Sequence, residues 1–414
     1  MNKDTFRSFF PILSKEIEGK KLIYFDSACT YLKNKVSFKW EKDYYMNFSC
    51  CSWDREPTYL WSLLYEKITN TRNKTLDFIW ASKDDIIIFT SSATDSINRL
   101  IFSLDEAKIK TLVVSDLEHN SNYLPQKELS KLKNIKFKMF SYKDIINLDV
   151  LEKKLKNLKW DFLLSFTHSS NVIWWNFDIR KISDVVHKYG GYLLVDDTQY
   201  ITYRKENAVM NEIDFLVFSS HKLWGPTGLW ILYINNKVKE LVKYSSKVWW
   251  WTIQKIKDDW IVMYKPLPDF LEWWVQNFMW ILWFNEVLRF LIKTNMSNIT
   301  NHVLSLTKYF LNKFYCLNLW KYLRVVSYEE SSLVTLQWNN WFNVIDFLQY
   351  CNYFIPNYFV AFRTWTFCAD VFINKYLNWD KNLMRISFWI YNTRGEIDIF
   401  FNILLDYIKK IWKI

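Results

Sequence analysis

Seven short runs rich in apolar residues constrain the fold of this chain more than any other feature. They are Ile86–Phe89, Thr111–Ser115, Lys136–Phe140, Phe162–Thr167, Tyr192–Asp196, Phe215–Ser219 and Trp230–Ile234. Each has the length of a strand, and stretches with helical spacing, such as Tyr59 to Ala81, lie between or beside them. Alternation of this kind argues for an α/β fold built on a mostly parallel sheet. From about Asn295 the pattern changes to longer helices with a few strands, which predicts a smaller C-terminal α+β domain. The expected division is a large domain at 20–290 and a small one at 291–414 that includes residues 1–19. A chain of 414 residues suits two packed domains at about 100–200 residues each.

Composition narrows the function classes. Half of the residues are apolar, enough for a large core, and the formal net charge is +11. That excess has two readings: solvated lysines from a codon bias towards Asn, Lys, Ile, Phe and Tyr, or attraction to an anionic partner. No basic and aromatic interleaving marks a nucleic-acid module. The six cysteines show neither metal-ligand spacing nor a disulfide framework, so no metal is expected. Met1–Lys21 is mixed and charged, unlike a cleavable signal. The stretch from Trp273 to Ile292 carries Gln276, Asn277, Asn285, Glu286 and Arg289, too polar for a lipid-facing span. A cytoplasmic protein without nucleic acid or membrane partners is the expectation.

The chemistry concentrates where the strand runs stop. Phe215–Ser219 ends on Ser220-His221-Lys222, and Gly225-Pro226 turns the chain at once. A lysine there leaves the sheet with its amine aimed into a cleft, where desolvation would lower its pKa and make it nucleophile and base. Schiff-base chemistry needs that arrangement. The run Tyr192–Val195 delivers Asp196 to the C-terminal edge of the sheet, where open α/β folds bind ligands. Ser91-Ser92-Ala93-Thr94 sits between a strand and a helix, a place suited to phosphate, although Ser and Thr caps begin many helices.

Taken with Glu118-His119-Asn120-Ser121-Asn122, Ser170-Asn171-Val172, Arg363-Thr364-Trp365-Thr366-Phe367-Cys368-Ala369 and Met384-Arg385-Ile386-Ser387, these segments resemble the class V aminotransferase family. The likeness runs from Asp26 to Asp398, and group II cysteine desulfurases resemble the chain most. It implies the fold type I of pyridoxal-5'-phosphate (PLP) enzymes, with PLP carried on Lys222. By the same resemblance His119 stacks on the pyridine ring and can shuttle protons. Asp196 pairs with the ring nitrogen, so that the ring becomes an electron sink. Asn171 and Gln199 contact the phenolic oxygen; Thr94, Ser219 and His221 hold the phosphate. Arg385 grips the substrate carboxylate as a bidentate fork, with Arg363 beside it as a second substrate-binding residue. Cys368 would take the sulfur of L-cysteine as a thiolate nucleophile, with release of alanine. The implied partners are a sulfur-acceptor protein for iron–sulfur cluster assembly and a second copy of the chain in a homodimer. Selenocysteine could serve the same machinery. Another class V enzyme, an aminotransferase, lyase or epimerase, would use Lys222 and Asp196 without Cys368.

Several positions depart from the family pattern. Asp197 and Ser92 stand at usual glycines, Thr366-Phe367 replaces a His-His pair, and Val275 replaces a threonine that reaches the partner subunit's phosphate. His168, three residues before Asn171, is read either as a site residue or as a brace for its loop. Most departures are tryptophans: Trp174, Trp230, Trp249-Trp250-Trp251 and Trp365 stand where the family has glycine. Trp is the bulkiest side chain and resists positive φ, where Gly is at ease. The pattern is read as UGA codons that the source organism decodes as glycine. Adding the 24 Trp to the 6 Gly would give glycine the share of about 7% that is ordinary in proteins.

Overall fold

The computed structural model describes residues 7–50, 58–158, 161–173, 177–245, 247, 252–272, 276–293, 296–339, 342–378 and 382–412. Val275, Trp174-Trp175, Trp249-Trp250-Trp251 and Trp273-Trp274 lie outside them. The chain forms two compact units. The larger comprises Phe38–Ser169 with Asn176–Thr294, and the smaller Met1–Ser37, Ser170–Trp175 and Asn295–Ile414.

A seven-stranded sheet organises the larger unit. Its strands are β1 (Ile86–Thr90), β2 (Thr111–Ser115), β3 (Lys136–Phe140), β4 (Phe162–Thr167), β5 (Tyr192–Asp196), β6 (Phe215–Ser219) and β7 (Trp230–Ile234), in the spatial order β1-β7-β6-β5-β4-β2-β3. Strands β2 to β6 run parallel, and β7 is antiparallel to both β6 and β1. Two reversals restore the direction, so β1 points the same way as the parallel strands. Thr90, Thr167, Asp196 and Ser219 therefore all reach one edge of the sheet. Both faces are covered, as a mostly parallel sheet requires: Leu112, Leu163, Leu194, Phe215 and Leu232 are fully buried in one core cluster.

Helices fix that edge. Helix α1 (Tyr59–Phe78) packs on α6 (Phe278–Lys293), and Asn285 bridges Lys74 and Thr71. Asn285, Glu286 and Arg289 of that apolar stretch thus belong to a helix pair, and no helix among the described residues is long and apolar enough to cross a membrane. Arg72 on α1 makes a bidentate ion pair with Glu272, at 2.7 and 2.6 Å, and Glu272 also accepts from Phe89 N of β1. Helix α2 (Ala93–Ser103) begins at Ser92, whose hydroxyl caps Asp95 N at 2.8 Å. Helix α3 (Asn120–Leu132) begins at His119, and α4 (Leu148–Lys156) and α5 (Ile179–Lys188) complete the connections.

The smaller unit holds an antiparallel sheet in the order Leu323–Val325, Leu333–Trp338, Leu383–Ser387 and Arg363–Thr364, with the long helices Met296–Cys316 and Arg394–Trp412. Residues 20–37 and Ser170–Trp175, expected with the large domain, group here instead. Lys20–Tyr24 pairs in parallel with Tyr358–Ala361, while Val172 O and Ile173 O accept from Thr335 Oγ1 and Tyr328 N. Trp80, Trp224, Trp260 and Trp365 adopt φ of 49°, 68°, 64° and 84°, in the left-handed region that favours glycine.

Candidate active site

In the larger unit the expected residues gather at the carboxyl edge of the sheet because each follows a strand end. Lys222 lies in a 3₁₀ turn, Ser220–Leu223, directly after β6, and is partly buried. The turn is held from beneath: Ser220 Oγ bonds to the carbonyls of Pro226 and Leu229, and Gly225 N donates to Ser220 O. A β-carbon at Gly225 would come within 2.8 Å of Ser220, so glycine is required for that close approach. Trp224 closes the turn at positive φ, and His221 lies with its ring 5.0 Å from that of Trp230. Ser219 is fully buried, and its Oγ has no hydrogen-bond partner.

Asp196 ends β5 almost buried, and its Oδ1 accepts from Thr198 N at 3.1 Å. Gln199 is buried in the same turn, where Thr198 Oγ1 is buried without a partner. In register with Asp196 stands Thr167 of β4. His119 is half-buried, its Nδ1 held by Ser121 N at 3.1 Å and by Ser121 Oγ at 2.7 Å. Thr94 is exposed in the first turn of α2. Across the edge, Ser219 and Thr90 both pair with Trp230 and occupy one row of the sheet.

Glu118 was legible only as the first residue of the motif around His119, with no role of its own. It is buried, accepting from Thr167 N at 2.8 Å and Asn122 Nδ2 at 2.6 Å. Burial first, and then the charge of Asp196, push its carboxyl up to about 8. It ties the end of β4 to the start of α3.

The smaller unit gathers the rest. Arg385, in the strand Leu383–Ser387, and Arg363, paired directly opposite it, converge on Asp26. Arg385 Nη2 lies 3.2 Å from Asp26 Oδ1, and Arg363 Nη2 lies 2.9 Å from Oδ2. Arg363 also donates to Cys29 Sγ. Burial lowers the Arg385 guanidinium, against the opposing pull of Asp26. Arg385 Nη1 donates to Asn171 O at 3.2 Å, its guanidinium lies over the Phe367 ring, and its Nε is buried without a partner. Asn171 Nδ2 donates to Phe367 O at 2.7 Å, so Asn171 is tied to the loop carrying Cys368. That loop is tight: Trp365, Phe367 and Cys368 all have positive φ, and Cys368 is exposed. Asp26 and Cys29 received no role from the sequence, since only the strand pairing places them by the two arginines.

Comparison with known proteins follows the same lines. A family model described as aminotransferase class-V matches residues 23–400. A protein of Borreliella burgdorferi named "probable cysteine desulfurase" is 31% identical over 415 aligned positions, covering 98% of this chain and 96% of its own. One of the same name from Ureaplasma parvum is 28% identical, at 98% and 97% coverage. Among solved structures, an apo cysteine desulfurase from Thermococcus onnurineus superposes with TM-score 0.82 at 22% identity, covering 94% and 95%. The cysteine desulfurase CsdA (S-sulfonic acid) from Escherichia coli gives 0.81 at 20% identity, covering 100% and 99%. These two structures share the fold.

Proposed function

The chain belongs to the aminotransferase class-V family, and from that premise we propose that it is a PLP-dependent cysteine desulfurase that moves sulfur from L-cysteine to Cys368 and releases alanine. The observation that carries the proposal is the gathering of Lys222, Asp196, Gln199 and Ser219 at one sheet edge within a family of PLP enzymes. The residues present fit the coenzyme. The buried, unpartnered Ser219 hydroxyl suits a phosphate oxygen, and the buried Asp196 carboxylate suits a protonated ring nitrogen. When bound, the coenzyme supplies an electron sink for the carbon that loses its proton.

The proposed roles fall on both units: the larger supplies the coenzyme residues other than Asn171, and the smaller supplies Asn171 and the substrate residues. Lys222 would hold the coenzyme and, once the substrate amine has displaced its own, would take the proton from the substrate Cα. Thr94, Ser219 and His221 would hold the phosphate, Asn171 and Gln199 the phenolic oxygen, and His119 the ring face. Ser121, bonded to Nδ1 of His119, fixes which edge of the imidazole is presented. Arg385, with Arg363, binds the substrate carboxylate; Asp26 holds both guanidinium groups until then. The exposed Cys368 would attack the substrate sulfur as a thiolate: the S–S bond of a persulfide forms as the substrate Cβ–S bond breaks, and the electron pair stays with the carbon skeleton, which is protonated to alanine. A sulfur-acceptor protein in iron–sulfur assembly, a homodimer and a cytoplasmic location belong to the same proposal, as does glycine at the left-handed Trp224 and Trp365.

Cys368→Ala tests the reaction. It should retain bound coenzyme while sulfide and alanine release from L-cysteine fall by about 100-fold or more, the scale of a lost nucleophile. Undiminished release would leave another class V reaction, one without Cys368, as the better reading.

A further inference from the structure

Immediately after Asp196, the larger unit buries a histidine between two carboxylates. His168 Nδ1 lies 3.0 Å from Asp197 Oδ1 and 2.7 Å from Glu206 Oε2, and all three side chains are 4% exposed or less. Glu206 is fixed from its other oxygen by Asn207 N at 2.8 Å and Asn211 Nδ2 at 2.6 Å. Asp197 Oδ2 is buried without a partner. Two buried carboxylates cannot both stay charged beside a neutral ring without a large desolvation cost. Burial opposes the charge on His168, but Glu206 and Asp197 outweigh it and lift the ring to about 9. Burial and the charge of Glu206 push Asp197 well above the ordinary carboxylate range, while His168 holds Glu206 below it despite burial. Imidazolium, one carboxylate and one neutral carboxyl leave the cluster balanced. Asp178, at the start of α5, also feels the charge of His168, and Arg204 acts on Tyr200, which stacks on the ring.

This cluster reaches Asp196 and Gln199 by three routes. His168 N donates to Asp196 O at 3.0 Å. The His168 ring stacks on Tyr200, the residue after Gln199, with centroids 3.5 Å apart and planes 14° from parallel. Asp197, between them in the chain, is pinned by its own backbone N to Val217 O at 2.9 Å on β6. The segment 196–200 is thus gripped at both ends and in the middle.

We propose that His168, held between Asp197 and Glu206, is a positioning residue whose charged brace sets the orientation of Asp196 and Gln199 towards the coenzyme. The proposal rests on the reading that Asp196 partners the coenzyme's ring nitrogen. It also accounts for Asp197 at a usual glycine: the added carboxylate has a buried cation to meet.

The test titrates PLP into coenzyme-free protein by absorbance and follows the histidine ring protons by NMR. In the wild type the His168 ring should stay protonated well past neutrality, with a midpoint near 9. His168→Gln should weaken PLP binding by about tenfold and shift the band of the bound coenzyme. Glu206→Gln alone should stay within about twofold of the wild type, because Asp197 then ionises and keeps the ring charged. The pair Asp197→Asn with Glu206→Gln should behave like His168→Gln. A purely structural role would lower the urea midpoint of these variants and leave the affinity and band of the wild type, which overturns the proposal. A His168 ring already neutral at pH 7 in the wild type, or a stoichiometric metal ion in the cluster, overturns it even where the variants fail to fold. Wild-type protein that never binds PLP sinks the desulfurase reading instead, and the ring titration then reports on the brace by itself.

Discussion

At Trp80 and Trp365 the backbone is left-handed and the side chain about half exposed. A β-carbon there costs about 1–2 kcal/mol, which the half-burial of the ring offsets only in part. Trp80→Gly and Trp365→Gly should each raise stability to urea by about 1 kcal/mol, whereas a Trp that earns its place by packing would make both variants weaker. If the native residues are glycines, protein purified from its source organism must weigh less than the 50.6 kDa of the written sequence, and an intact mass equal to it contradicts the recoding. Glu118 carries a prediction about pH. Folding raises its carboxyl to about 8 from an unfolded value of about 4.3. A group raised in this way favours the folded state while protonated, so its contribution is complete below the unfolded value and is lost as pH rises through about 8. Glu118→Gln, which cannot ionise, should therefore gain urea stability relative to the wild type between about pH 5 and about pH 9. Parallel stability curves would mean that Glu118 titrates normally.

Among the elements, an ion pair helps to tie α1 to β1. Arg72 and Glu272 meet with both oxygens engaged, Glu272 is 2% exposed, and it also holds Phe89 N. Arg72→Ala leaves a buried carboxylate unpaired, which should cost about 3–5 kcal/mol in chemical unfolding. A loss below about 1 kcal/mol would show that water reaches Glu272 and that the pair ranks with surface salt bridges. All seven strands of the large sheet were legible, because apolar runs of strand length are a local signal. The residues at their ends, Lys222, Asp196, Gln199 and Ser219, came with them. Asp26, Cys29 and the 20–37 segment were not legible in the same way. Their partners lie more than 300 residues away, at Arg363, Arg385 and Tyr358–Ala361, and no local pattern encodes such pairing. Glu118, His168 and Asp197 were legible as residue types in motifs and Glu206 was not, while the burial of all four, which decides their charge, depends on packing.

For the molecule as a whole, the roles proposed above fall on both units. Of the residues proposed for the coenzyme, Thr94, His119, Asp196, Gln199, Ser219, His221 and Lys222 lie in the larger unit and Asn171 in the smaller, as do Arg363, Arg385 and Cys368, proposed for the substrate. The central claim is covalent attachment of PLP to Lys222, and its most direct measurement is borohydride reduction of the PLP-loaded protein followed by peptide mass mapping. The account predicts one pyridoxyl-phosphate adduct, on Lys222, absent from Lys222→Ala. An unlabelled Lys222 in protein saturated with PLP, or the same labelling in Lys222→Ala, would contradict it.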